Sequence, residues 1–146
     1  MSSFSKPLKH PDISGFEFVK DIMGDNPGAA INFDLLLKHP EHGYLLFELL
    51  LCEESQPRVT PWTSHPKNYW YKNKQKFISL WNAVQVMGGT LFLVNYAKKG
   101  TKHQDEVRLM KVTDCNEDTI KTLNYQWSRD YFAQWYRNLN KKILNG

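Results

Sequence analysis

INFDLLLKHPEHGYLLFELLLC, residues Ile31 to Cys52, decides how the chain is read. Two apolar runs flank a polar link that contains Pro40 and Gly43. Apolar runs of this length, bounded by turn residues, predict central buried strands. The short link predicts that the two strands pair as an antiparallel hairpin. Each run carries one carboxylate among large apolar residues, Asp34 in the first and Glu48 in the second. A buried carboxylate is costly unless something compensates its charge. Two of them on adjacent strands can share a hard divalent cation, which accepts one or two carboxylates together with waters. Counting by twos, Tyr44, Leu46, Leu50 and Cys52 share the face of Glu48, and Asn32 and Leu36 share that of Asp34. The competing reading is that each acid is salt-bridged or faces solvent at a strand end.

The rest of the chain supplies a frame for this hairpin. Residues 1–13 are polar, with Pro7 and Pro11, and read as an irregular arm. Residues 14–146 then read as a single domain, because 146 residues suffice for one sizeable core and not for two. SGFEFVKDIM, Ser14 to Met23, has a capping-box pattern in Ser14 and Glu17 and an apolar face of Phe16, Val19 and Met23. Three prolines between Glu53 and Asn68 argue against a central strand there and leave only a short edge strand around Arg58 to Trp62. From Tyr69 the pattern turns helical through Phe77, Leu80, Trp81, Val84 and Met87, until Gly88-Gly89 stops it. TLFLVNYA, Thr90 to Ala97, reads as a strand. Val107 to Val112 alternates and reads as a strand at the sheet edge. Asp114 to Asn124 reads as a loop with a helical turn at DTIKTL. Ser128 caps a last helix whose Tyr131, Phe132, Trp135, Tyr136 and Leu139 form one stripe, either core or a homodimer contact. The expected fold is mixed α/β (α+β), with a central mixed sheet of four to five strands flanked by helices.

Composition narrows the classes. Apolar residues at 41% with charged residues at 23% exclude a disordered chain. The net charge of +4 is compatible with a nucleic-acid partner without requiring one. Cys52 and Cys115 form no CxxC pair and read as reduced thiols. The N-terminus has no apolar signal-peptide region, and no apolar run reaches the ~20 residues of a membrane helix. A soluble cytoplasmic protein without a membrane partner is expected.

The start of the central helix, YWYKNKQKF, carries Lys72, Lys74 and Lys76. At 100° per residue Lys74 lies near the apolar face one turn earlier, and Lys76 lies on its other flank. Lys74 is therefore expected to reach inward toward the two acids, and helix N-termini also favour anions. The competing reading is a solvated basic first turn.

In combination these residues resemble the PD-(D/E)XK nuclease superfamily, with its restriction-endonuclease-like fold. Family members carry an early helix, often with a Glu, and then a strand bearing Asp. The next strand bears Glu or Asp with Lys two residues on, and a helix and strand follow. Glu17, Asp34 and Glu48 match the first three elements, and the order matches from about Gly15 to Ala97. Leu50 stands where the family places its lysine. Some branches move that lysine to the following helix, which would give its part to Lys74 or Lys76. A second register would use Glu54 and Gln56 as an E-x-Q variant, disfavoured by its polar surroundings and Pro57.

The resemblance implies a nuclease cutting DNA or RNA phosphodiester bonds with Mg²⁺ or Mn²⁺. Asp34 and Glu48 would hold the metal, with the Leu49 carbonyl as a third ligand. Lys74 would orient or deprotonate the attacking water, Glu17 would act from further out, and Gln56 and His65 would sit near the mouth. Lys67, Lys72, Lys76, Trp62, His65, Lys98, Lys99 and Lys102 would contact nucleic acid, since aromatics interleaved with bases can stack on nucleobases and meet phosphates. Each has a plainer reading as loop packing or a solvated turn. The displaced lysine equally suits a non-catalytic protein on a nuclease-like scaffold, of phage or bacterial origin. Such a protein would bind nucleic acid or a protein partner, for example as a phage-encoded inhibitor of a host defence nuclease. His39 and His42 form an HxxH without further ligands at zinc spacing.

Overall fold

The structure, a computed structural model, describes residues 13–56 and 58–146. The predicted arm therefore lies outside the described residues except for Ile13. The chain divides into two compact units, Met1–Ala30 and Ile31–Gly146.

In the first unit, α1 spans Ser14–Met23 as expected, but Ser14 is its first helical residue. Ile13 holds the cap position without a side-chain cap bond. Gly24, at φ 57°, ends the helix, and its N–H donates to the Lys20 carbonyl. Phe16, Val19 and Ile22 are exposed on it.

The second unit is a five-stranded mixed sheet in the order β1-β2-β3-β4-β5, with one helix on each face. β1 (Leu35–His39) and β2 (Gly43–Leu51) form the predicted antiparallel hairpin. β2 is interior because its side chains are apolar in both directions. Leu46 packs under α2 (Trp70–Met87) with Phe77, Leu80 and Val84. Leu45 and Phe47 pack under α3 (Arg129–Asn145) with Trp135, Tyr136 and Leu139. β1 departs from expectation. It pairs on one side only, it is half-exposed, and Asp34 precedes it rather than lying within it.

β3 (Thr90–Tyr96) runs parallel to β2, which demands a long crossover. That connection holds a 3₁₀ turn, Pro66–Tyr69, followed by α2. The suggested edge strand at Arg58 to Trp62 is made of turn and irregular backbone instead; Pro61 has no N–H to donate to a ladder. Gly88, at φ 68°, terminates α2 as the glycine pair predicts.

Two further corrections concern the far half of the sheet. β4 (Glu106–Cys115) is an interior strand, not an edge, because β5 (Ile120–Ser128) pairs with it along its length. The stretch read as loop and helical turn, Asp114 to Asn124, is the end of β4, its turn and most of β5. β5 lacks an apolar signature because it is the edge strand and mostly solvent-facing. Ser128 does cap α3, accepting the Tyr131 N–H at 3.1 Å. Of the predicted stripe, Phe132, Trp135, Tyr136 and Leu139 pack on the sheet, while Tyr131 stays exposed beside Trp127. No helix among the described residues is long and apolar enough to cross a membrane. Both cysteines are free and buried.

Candidate active site

Even-numbered positions of β2 face α2, so Glu48 points at the helix that follows it in the chain. It is 5% exposed, and its Oε1 lies 2.8 Å from Lys76 Nζ. The hairpin register pairs Leu35 with Phe47, so the next position outward sets Asp34 opposite Glu48. The ladder has ended there, and Asp34 replaces it with its side chain. Its Oδ2 accepts the Leu49 N–H at 2.8 Å. The two carboxylates stand close enough for their charges to interact directly.

Burial pushes the Glu48 carboxyl above the ordinary carboxylate range. Lys76 opposes this through its hydrogen bond and charge, and the like charge of Asp34 reinforces it; the net direction is up. Glu48 Oε2 is buried with no hydrogen-bond partner. Two acids facing one lysine leave a negative charge in excess, and one buried oxygen has unused lone pairs.

The structure places the other sequence-predicted residues as follows. Lys74 does not reach the acids. It pairs with Glu117 of the β4–β5 turn at 3.1 Å. Two residues on a helix are ~200° apart, so Lys74 and Lys76 cannot serve one point on the sheet. Lys76, grouped by sequence with nucleic-acid contacts, is the lysine that meets Glu48. Glu17 is exposed on α1, in the N-terminal unit. Lys67 and Lys72 are exposed near the start of α2, and Lys98, Lys99 and Lys102 are exposed in the β3–β4 turn. That turn follows Tyr96, which is in register with Leu51, so it lies at the sheet end where β2 terminates.

His65 is not an exposed contact. It is buried at the start of the 3₁₀ turn, where its Nδ1 accepts the Lys67 N–H at 3.1 Å. That fixes the proton on Nε2, which donates to Thr122 Oγ1 at 2.8 Å. Burial, followed by the charges of Arg108 and Lys67, lowers its pKa to about 4, so it is neutral. Trp62 is half-exposed, and its indole N–H donates to the Trp127 carbonyl at 3.1 Å, a packing role. Gln56 lines a pocket of about 460 Å³ with Leu50 and Asn95, two residues beyond Glu48 and Leu93 on the same face of the sheet. Glu54 accepts the Lys102 N–H at 3.3 Å, away from the Asp34–Glu48 pair. His39 Nδ1 accepts the N–H groups of Glu41 and His42, so the HxxH is the frame of a turn. No three His, Cys, Asp or Glu side chains converge among the described residues.

One polar element escaped the sequence reading. Asn95 donates to the carbonyls of Pro61 (3.1 Å) and Ser64 (2.8 Å), and Arg108 to those of Trp62 (3.3 Å) and Ser64 (2.9 Å). These two side chains clasp the crossover loop onto the sheet. Asn95 inside the apolar TLFLVNYA run was the available signal, because a buried amide in a strand needs partners from outside its own ladder.

No known protein family, curated protein or solved structure matches the chain.

Proposed function

We propose that the chain is a metal-dependent nuclease-like enzyme acting on DNA or RNA phosphodiester bonds, with Asp34, Glu48 and Lys76 as its reactive group. The observation that carries this reading is the ion pair between half-exposed Lys76 and buried Glu48, with Asp34 beside them. It supplies the acid, acid and lysine of the PD-(D/E)XK pattern, with the lysine contributed by the helix after the second acid.

The donor set fits a hard divalent cation such as Mg²⁺ or Mn²⁺. Glu48 Oε2 is buried and unpartnered, Asp34 is exposed next to it, and their combined charge exceeds that of Lys76. In a strand, the N–H and C=O of one residue point to the same side. The Leu49 N–H reaches Asp34, so the Leu49 carbonyl faces that same edge and would offer the cation a third oxygen. A bound cation would lower the pKa of a water and offset charge on the phosphodiester.

The chain's own groups act around it. The Leu49 N–H holds the Asp34 carboxylate in one orientation. Lys76 keeps Glu48 ionised against burial, and its remaining N–H donors, at the exposed end of the side chain, are placed to hold a phosphate oxygen or the attacking water. Lys98, Lys99 and Lys102 suit the flanking phosphates of the strand.

The test is cleavage of a mixed DNA and RNA panel with Mg²⁺ or Mn²⁺, run beside Glu48→Gln and Lys76→Ala. Cation-dependent cleavage by the parent chain, lost in both variants while they remain folded, supports the assignment. Absence of cleavage under both metals, with nucleic acid or a protein still bound, would transfer the reading to a non-catalytic binder.

A further inference from the structure

A second cleft lies on the opposite face of the sheet, between α3 and the strands. It encloses about 500 Å³ and is lined by His39, Thr90, Phe92, Lys111, Trp135 and Lys142 among others. This size falls within the ~300–1,000 Å³ of small-molecule sites. Its composition is one-sided. Lys111 and Lys142 bring two positive charges, and no carboxylate lines it. The nearest acid in contact with these groups is Glu41, 3.8 Å from Lys142, and both side chains of that pair are well exposed. Such an exposed pair is weak and is readily exchanged for a better anion.

His39 adds a donor that is held in place. It is 3% exposed, and its Nδ1 accepts the backbone N–H groups of Glu41 at 3.1 Å and His42 at 3.2 Å. The ring proton therefore sits on Nε2, which makes that atom a hydrogen-bond donor. Thr90 contributes a hydroxyl. The apolar part of the cleft is made by Leu45, Leu139 and two aromatic rings, Phe92 and Trp135. Trp135 is wedged against Phe47, Phe92, Trp127 and Phe132 at centroid distances of 5.4–6.0 Å, so its ring is fixed.

We propose that this cleft binds a small organic anion: a flat apolar body resting on Trp135 and Phe92, with one phosphate or carboxylate held by Lys111, Lys142 and His39. The proposal is independent of the nuclease reading, since Glu48 and Lys76 lie on the other face of the sheet.

The experiment is calorimetric titration of the full chain, without divalent cations, with phenyl phosphate, benzoate, inorganic phosphate and acetate. Either aromatic anion should bind about tenfold or more tighter than its non-aromatic counterpart, and which one does so identifies the anionic group. Lys111→Ala and Lys142→Ala should each weaken that binding by about fivefold or more. Lys141→Ala, outside the cleft, should leave it within about twofold. Melting temperatures confirm that each variant is folded. Three results overturn the proposal: no binding of either aromatic anion, inorganic phosphate and acetate binding as tightly as the aromatic pair, or Lys141→Ala costing as much as Lys111→Ala.

Discussion

Lys76 Nζ sits 2.8 Å from Glu48 Oε1, while Lys74 turns away to meet Glu117 at 3.1 Å. The two lysines lie on opposite sides of the same helix and hold different parts of the sheet. Glu117 belongs to the turn that also receives the Trp70 indole N–H, at 3.2 Å from its carbonyl. Lys74 thus helps to dock the start of α2 on the β4–β5 turn. Lys76 compensates a buried charge at the centre of the sheet.

This division predicts opposite behaviour for two substitutions. Lys74→Ala should cost less than about 1 kcal/mol, as an exposed pair does, and under the proposed function should leave cleavage within about twofold. Lys76→Met should destabilise by about 1–2 kcal/mol, below the roughly 3–5 kcal/mol of fully buried pairs, because Lys76 is 48% exposed. It should also remove cleavage. Urea denaturation and a cleavage assay on both variants check this. Equal effects from the two would break the assignment of Lys76.

Gly89 predicts a packing effect of a different kind. A Cβ built there would fall inside the van der Waals contact of the Tyr44 carbonyl on β2, a backbone atom that cannot turn aside. At Gly88 the space is open and only the φ of +68° opposes a side chain. Gly89→Ala should therefore cost about 2–4 kcal/mol and Gly88→Ala about 1 kcal/mol. Thermal melts of the two variants should show the larger loss at Gly89, and the reverse order would contradict the parallel β2–β3 junction as described.

The hairpin, α2, β3 and α3 were legible because each carries a strong apolar period bounded by glycine, proline or a serine cap. β5 was not. As an edge strand it has one neighbour and little burial, so its residues Lys121, Thr122, Asn124 and Gln126 are those of a loop. Its strand character comes from the ladder with β4, a partner distant in kind from anything local propensity records. For the same reason β4 was taken for the edge. At the site, the closeness of Asp34 to Glu48 followed from hairpin geometry, although Asp34 falls just before β1 and not within it. The choice between Lys74 and Lys76 did not, because it depends on the rotation of α2 about its axis. That rotation is set by Trp70, Phe77, Leu80 and Val84 against the sheet, and an error of one residue in the helix start turns it by ~100°.

His65 predicts a pH dependence that does not involve the acids. Its folded pKa, about 4, lies below the ordinary value of 6.5. Between these values the unfolded chain binds more protons than the folded one, so stability rises with pH across that window. The contribution is fully present above about pH 6.5, is lost as pH falls toward 4, and amounts to about 3 kcal/mol at most. His65→Asn keeps an acceptor for the Lys67 N–H and removes the titration. It should be less stable at neutral pH yet show a flatter decline between pH 6.5 and 4. An unchanged slope in chemical denaturation would place the acid sensitivity elsewhere.

Glu48 predicts the opposite sign and ties it to the cation. Its folded pKa is raised above 4.5, chiefly by burial. From 4.5 up to the raised value, the folded state holds the proton more tightly than the unfolded one, so this group favours the fold at low pH and loses that contribution as pH rises through its folded pKa. A cation bound by Asp34 and Glu48 needs both ionised, so its affinity should increase over the same window. Mg²⁺ or Mn²⁺ should therefore raise the melting temperature more at pH 7.5 than at pH 5. Asp34→Asn keeps an acceptor for the Leu49 N–H but removes the like charge beside Glu48. It should lower the Glu48 pKa, flatten the metal-free pH dependence, and abolish most of the cation-induced rise. A wild-type melting temperature indifferent to both cations at pH 7.5 would argue that the pair is compensated by Lys76 alone. The same indifference, combined with a pH profile that Asp34→Asn does not flatten, would remove Asp34 from the site.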